Sequence, residues 1–156
     1  MSRKVILLAL IAGMSVEAAP GATPVLTEAD EIAAFKAAGF QPTGGRYLMC
    51  DEQNPLGIEA RDINGDGRID AVITDGGLAC YGQTETGFTV LTKDAGGAWR
   101  KLYASPGVPN FLKMRAEGWP EIEIGGPGFC FPVVRWNGKT FVENRHQYEG
   151  KPCRPQ

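Results

Sequence analysis

Asp62, Asn64, Asp66 and Asp70 place oxygen-bearing side chains at positions 1, 3, 5 and 9 of the run Asp-Ile-Asn-Gly-Asp-Gly-Arg-Ile-Asp. Hard cations such as Ca²⁺ collect six to eight oxygens, and a loop of this spacing supplies them from side chains, with the position-7 carbonyl, here that of Arg68, as a further ligand. Gly65 and Gly67 stand where such a loop must bend tightly. Three ionised aspartates this close repel one another, so a bound cation is expected to stabilise the loop. The same residues can also build an Asx-rich turn that needs no metal.

The surrounding pattern decides between kinds of calcium loop. A helix-loop-helix hand needs a bidentate Glu at position 12, and that position is Ile73, inside the β-branched run Ala71-Val72-Ile73-Thr74. The pattern D-x-N-x-D-G-x-x-D running straight into a strand resembles the calcium loop of the FG-GAP/VCBS type of β-propeller repeat. That resemblance implies a Ca²⁺ ion held by Asp62, Asn64, Asp66, Asp70 and the carbonyl of Arg68, at the entrance to a β-strand.

Catalytic constellations are thin. His146 is the one histidine and no Gly-x-Ser-x-Gly elbow occurs, which leaves nucleophilic catalysis of the Ser-His-Asp kind without a base beside a nucleophile. It reads as a solvated histidine in the charged tail Arg145-His146-Gln147. Asp51, Glu52, Glu121 and Glu123 are available for carboxylate chemistry, and the last two share one face of a strand by their spacing. Paired acids on a solvent face are nevertheless common. Gly125-Gly126-Pro127-Gly128 has no Lys-Ser/Thr after it and reads as a tight turn rather than a phosphate loop. Trp119, Phe129, Phe131 and Trp136 cluster in sequence around that turn. Aromatic side chains there either fill a core or are presented to a partner; Phe129, at the turn tip, is the candidate for exposure, with Trp119 and Trp136 as further candidate partner contacts.

The elements that must position these groups are mostly strands. A helix is expected after Thr27, which can cap it, with Glu28, Asp30 and Glu31 near its positive end, an apolar stripe of Ile32, Phe35 and alanines, and Gly39 to stop it. Beyond Gly44-Gly45 short runs separated by Gly, Pro, Asn and Asp predict strands over 46–50, 57–61, 69–74, 78–82, 88–92, 99–103, 111–115, 121–124, 130–136 and 140–143. Asn137-Gly138 signals a hairpin with a type I′ turn. The stretch from Gly67 to Phe88 can be laid over that from Gly118 to Phe141 at an offset of about 50 residues, the span of a propeller blade. The second copy has Met114-Arg115-Ala116-Glu117 where the loop ligands would stand, so only the first is expected to bind metal.

Two blades cannot close a propeller. The expected fold is mainly β: two small antiparallel sheets, built from blade-like repeats at about 45–103 and 104–148, with one amino-terminal helix over a face or edge. The second repeat, from Gly118-Trp119-Pro120-Glu121-Ile122 to Trp136-Asn137-Gly138-Lys139-Thr140-Phe141, also resembles a G-W-P-D-[IL] and W-[ND]-G-K-x-[YF] module of exported bacterial proteins. This chain departs from it with Glu121 for Asp and Phe141 for Tyr. The module implies an envelope location and no enzyme activity.

The chain has 156 residues and a formal net charge of −2, which points to neither nucleic acid nor anionic membrane. Ser2-Arg3-Lys4 followed by an apolar run from Val5 to Met14, and Val16-Glu17-Ala18, form a signal peptide over 1–18, too short to span a bilayer. A flexible lead-in over 19–26 and a single domain over 27–156 complete the expected organisation. In an exported chain Cys50, Cys80, Cys130 and Cys153 read as two disulfides with three possible pairings, the sequence-local choice being Cys50–Cys80 and Cys130–Cys153. A periplasmic or secreted calcium-binding β-domain follows, acting as a binding module toward an envelope protein or glycan. The alternatives are an inhibitor of an envelope hydrolase, docking its 125–131 turn, and a carboxylate-dependent hydrolase of glycan or peptide.

Overall fold

In a computed structural model, residues 25–49, 52–53 and 57–155 are described, 52 and 53 by backbone alone. The stretches expected to be a signal peptide, 1–18, and most of the expected lead-in, 19–26, lie outside this range. The chain begins with helix α1 (Glu28–Ala38), capped by the Thr27 hydroxyl, which accepts from the Asp30 amide at 3.2 Å, and ended by Gly39 in the left-handed region at φ 114°. Asp30 on this helix also takes an ion pair from Lys93 at 2.7 Å. That hydrogen bond holds the Asp30 carboxyl below its ordinary range.

Twelve strands among the described residues form three antiparallel sheets, not two. β1 (Gln41–Thr43), β2 (Arg46–Met49) and β3 (Glu52–Gln53) form a small sheet. β4 (Gly57–Arg61), β5 (Asp70–Gly76), β6 (Thr86–Lys93) and β7 (Trp99–Pro106) form a second, in that order. β8 (Val108–Ala116), β9 (Trp119–Gly125), β10 (Phe131–Trp136), β11 (Phe141–Tyr148) and β12 (Lys151–Pro152) form the third, again in sequence order. The second and third sheets are consecutive meanders in which β5 and β9, the strands of the internal repeat, hold equivalent second places. The small first sheet is the addition. Its opening strand is exposed along its length and offers no apolar alternation by which to read it.

Strand periodicity builds two cores. Val72, Phe88, Val90 and Leu102 of the second sheet face Ile122, Ile124, Val134 and Phe141 of the third, with Trp119 and Trp136 between them. The opposite face of the second sheet, through Ala71, Ile73 and Leu91, packs on Ala34, Phe35 and Ala38 of α1, with Tyr47 and Met49 of β2 beside them. β5 and β6 are thus covered on both sides, and this is why nearly every position of both is buried, the polar Thr89, Thr92, Asp70 and Asp75 included.

Two local expectations are corrected. Residues 78–82 are not a strand: Leu78–Tyr81 is a single helical turn (α2), followed by a 3-10 turn over Gly82–Thr84. The turn swings the Tyr81 ring across Gly87, where a Cβ would come within 2.2 Å of it, and brings its hydroxyl to the buried carboxylate of Asp75. Burial raises the pKa of both groups, and their mutual contact raises that of Tyr81 further. The β10–β11 connection is also not a two-residue type I′ turn. Trp136 pairs with Phe141, the Asn137 side chain accepts from the amides of Lys139 and Thr140 at 3.0 and 2.9 Å, and only Gly138 takes positive φ.

Cys130 and Cys153 form a disulfide with Cα atoms 5.6 Å apart, tying the start of β10 to the chain beyond β12. Cys80 is disulfide-bonded too, while its expected partner Cys50 lies outside the described residues. No helix among the described residues is long and apolar enough to cross a membrane.

Candidate metal loop and polar sheet face

The loop between β4 and β5 is folded around Asp62. Its carboxylate accepts from the amides of Gly65 at 2.7 Å, Asp66 at 3.2 Å and Gly67 at 2.9 Å, so the chain turns back on its own first ligand candidate. The Asn64 carboxamide accepts from the Asp66 amide and donates to Asp66 Oδ2, both at 3.0 Å. Asp66 also accepts from the amide and guanidinium of Arg68. Its slight burial opposes ionisation, but these donors outweigh it and hold the carboxyl below the ordinary range. Arg68 Nε reaches the Lys93 carbonyl at 3.2 Å, which anchors the far side of the loop to the end of β6.

Asp70 differs from the others. It is fully buried at the first position of β5; its Oδ2 accepts from the Ile63 amide at 2.9 Å, and its Oδ1 has no hydrogen-bond partner. Burial raises its pKa against the pull of the Thr92 hydroxyl and the Ile63 amide. Leaving a buried carboxylate oxygen unpaired costs on the order of 1–3 kcal/mol. The donor set is all oxygen, the chemistry of a hard cation, and the orphaned Asp70 oxygen has acceptor capacity to give to one. Among the described residues no three His, Cys, Asp or Glu side chains converge at metal-ligand separation. As the loop stands, the Arg68 guanidinium supplies the positive charge beside Asp66.

The loop rests on the third sheet. Arg115, near the end of β8, donates to the Ile63 carbonyl at 3.0 Å and to the Gly118 carbonyl. Gly118 sits at φ 85°, and a Cβ there would lie 2.5 Å from the Asn64 carbonyl oxygen. The β8–β9 turn, which holds the place of a second loop in the repeat, therefore buttresses the first. Gly118→Ala should cost about 3 kcal/mol, combining left-handed strain with a backbone clash. Gly138→Ala, at φ 91° but 3.5 Å from a movable Glu117 carboxylate, should cost about 1 kcal/mol. Urea unfolding of both variants checks this; equal costs would show that the buttress contributes nothing.

The acids of β9 do not lie on a simple solvent face. Glu121 is fully buried, paired with Arg135 Nη1 at 3.2 Å and Arg145 Nη1 at 2.5 Å, and it accepts from Asn144 at 3.3 Å. Glu123 is half-buried and bridges Asn110 and Gln147. Arg145-His146-Gln147 is no charged tail but part of β11, with His146 Nδ1 3.6 Å from Glu143. The sequence reading missed Asn110, Arg135, Asn144, Arg145 and Gln147. Polar residues alternating at 121 and 123, and again at 145 and 147, are the signal that could have paired them. Asp51 lies outside the described residues, as does the side chain of Glu52.

The aromatic candidates separate. Trp119 and Trp136 are core residues, 5.6 Å apart between ring centroids and both packed on Phe141, so neither is presented to a partner. Phe129 is 54% exposed and meets Tyr148, itself 43% exposed, at 6.3 Å; Tyr148 also meets Phe131 at 6.0 Å. Tyr148 is a member of this surface that the sequence reading passed over. No protein-family model matches the chain, and no curated protein or solved structure matches it either.

Proposed function

We propose that this chain is an exported, calcium-binding β-domain that serves as a binding module of the cell envelope, its partner an envelope protein or glycan. The observation that carries the metal reading is the buried, unpartnered Oδ1 of Asp70 in a loop of D-x-N-x-D-G-x-x-D spacing. Asp62, Asn64, Asp66 and Asp70 would hold the ion through side-chain oxygens, and Arg68 through its carbonyl. A bound Ca²⁺ supplies the positive charge that three clustered carboxylates require. The Asp62 hydrogen bonds to three amides pre-form the turn, and Arg115 transmits its position to the third sheet, so the role of the loop is structural. A hydrolase reading gains no support from Glu121, since both of its oxygens are engaged by arginines.

The test is thermal melting of the oxidised protein in excess EDTA and in millimolar Ca²⁺. At a Ca²⁺ concentration about 100 times the dissociation constant, binding adds about 2.7 kcal/mol, which raises Tm on the order of 10 °C at this size. Asp66→Asn should abolish the rise. An identical Tm in EDTA and Ca²⁺ for the unaltered protein would refute the metal reading and leave a turn closed by Arg68.

A further inference from the structure

We propose that the outer face of the third sheet is a binding site for a neutral oligosaccharide; this rests on the binding-module reading and names the glycan as its partner class. The face pointing away from the core carries a continuous polar strip. Asn110 on β8 donates to Glu123 Oε1 on β9 at 3.1 Å, and Glu123 Oε2 accepts from Gln147 on β11 at 2.6 Å. Gln147 Oε1 accepts in turn from Arg145 Nε and Nη2 at 3.3 and 3.2 Å. The strip crosses β10 above Val133, which opposes both Glu123 and Arg145 in register. Four strands at about 4.8 Å spacing give it a length of about 14 Å.

Two features make this a built surface rather than a scatter of polar residues. The register of β10 and β11 shifts between Val133 and Val134, so Asn144 is an extra residue on β11. That bulge lets Asn144 and Arg145, adjacent in sequence, both reach Glu121, and bulges commonly re-aim side chains in this way beside binding sites. Beneath the strip the buried Glu121 fixes the two arginines. Burial of such a group gives little stability over apolar packing, whereas fixed polar groups reduce the ordering cost of binding.

Charge and shape select the ligand. Glu121 and Glu123 balance Arg135 and Arg145, so the face attracts neither an anion nor a cation. Glu121 and Gln147 are buried beneath it, while Asn110 and Asn144 are exposed and Arg135 and Arg145 partly so. These amide and guanidinium groups, held in place by Glu121 and Glu123, present donors and acceptors as hydroxyl groups require. An apolar peptide would bury these groups without replacing their water. Phe131 stands opposite Gln147 at one end of the strip, and the exposed rings of Tyr148 and Phe129 continue from it. A sugar, with a hydroxylated rim and a C–H face, matches a polar strip that ends in aromatic rings.

The experiment titrates the ¹⁵N-labelled oxidised protein, in millimolar Ca²⁺, with cellotetraose, xylotetraose and chitotetraose. At least one should give saturable shifts at the side-chain amides of Asn110 and Asn144, the exposed amides of the strip. Asn110→Ala and Phe129→Ala, both at exposed positions, should each weaken that binding about tenfold with Tm unchanged. The inference is overturned if no tetrasaccharide gives saturable shifts at about 10 mM, where a millimolar Kd would already fill most sites. Shifts confined to other surfaces, or unaltered affinity in both variants, overturn it equally. Sugar binding in a protein whose Tm ignores Ca²⁺ removes the calcium reading alone; Ca²⁺ stabilisation without sugar binding removes this inference alone.

Discussion

Arg145→Met should destabilise the protein by about 4 kcal/mol, and Glu121→Met by less than half as much, although the two substitutions break the same ion pair. The asymmetry follows from where the charges lie. Glu121 has no exposed surface, whereas the side chains of Arg145 and Arg135 are 28% and 42% exposed. Without Arg145 the buried carboxylate keeps Arg135 and Asn144 on Oε1 alone and its Oε2 is left bare, and removing one partner of a buried ion pair costs about 3–5 kcal/mol. Without Glu121 the two guanidiniums turn to water, which solvates them. The double variant should therefore recover most of what Arg145→Met loses, giving a coupling energy well above the few tenths expected of independent sites. Urea unfolding of the four proteins closes the cycle. Equal single costs, or additivity, would mean that Glu121 is reached by water and that the network is an ordinary surface cluster.

The parts of this protein that could be read from sequence are those fixed within one turn of chain. The Thr27 cap, the Gly39 stop, the boundaries of β4 and the spacing of Asp62, Asn64, Asp66 and Asp70 each depend on neighbours a few residues away. Errors arose where a distant partner decides. Residues 78–82 have strand-like composition, but the space above Gly87 and the carboxylate of Asp75 draw Tyr81 into a helical turn. Glu121 and Glu123 were correctly placed on one face, yet nothing local showed that Arg145 and Gln147, 24 residues further on, would cover them. The bulge that aims Asn144 is likewise a property of two strands in register. The metal loop shows both sides of this: its spacing is local, while its support by Arg115 and Gly118 comes from the other repeat.

The same division settles what the aromatic residues do, through a second large effect. Trp119→Ala should cost about 4 kcal/mol, the ordinary penalty for truncating a buried tryptophan. Its ring forms a three-ring cluster with those of Trp136 and Phe141, at 5.6 and 5.8 Å, in the core that joins the second and third sheets. Against a total stability of about 5–15 kcal/mol, that loss leaves a weakened interface between the sheets. The metal loop should loosen with it, because Gly118, its buttress, precedes Trp119 directly. Phe129→Ala, at an exposed position, should stay within about 0.5 kcal/mol. Denaturant midpoints for the pair provide the check, and the Ca²⁺-dependent Tm rise in Trp119→Ala provides a second. If Trp119→Ala unfolds like the unaltered protein, its ring is not what holds the two sheets together. If Phe129→Ala is the costly one, the exposed ring belongs to the scaffold, and a loss of sugar binding in that variant would report folding rather than contact.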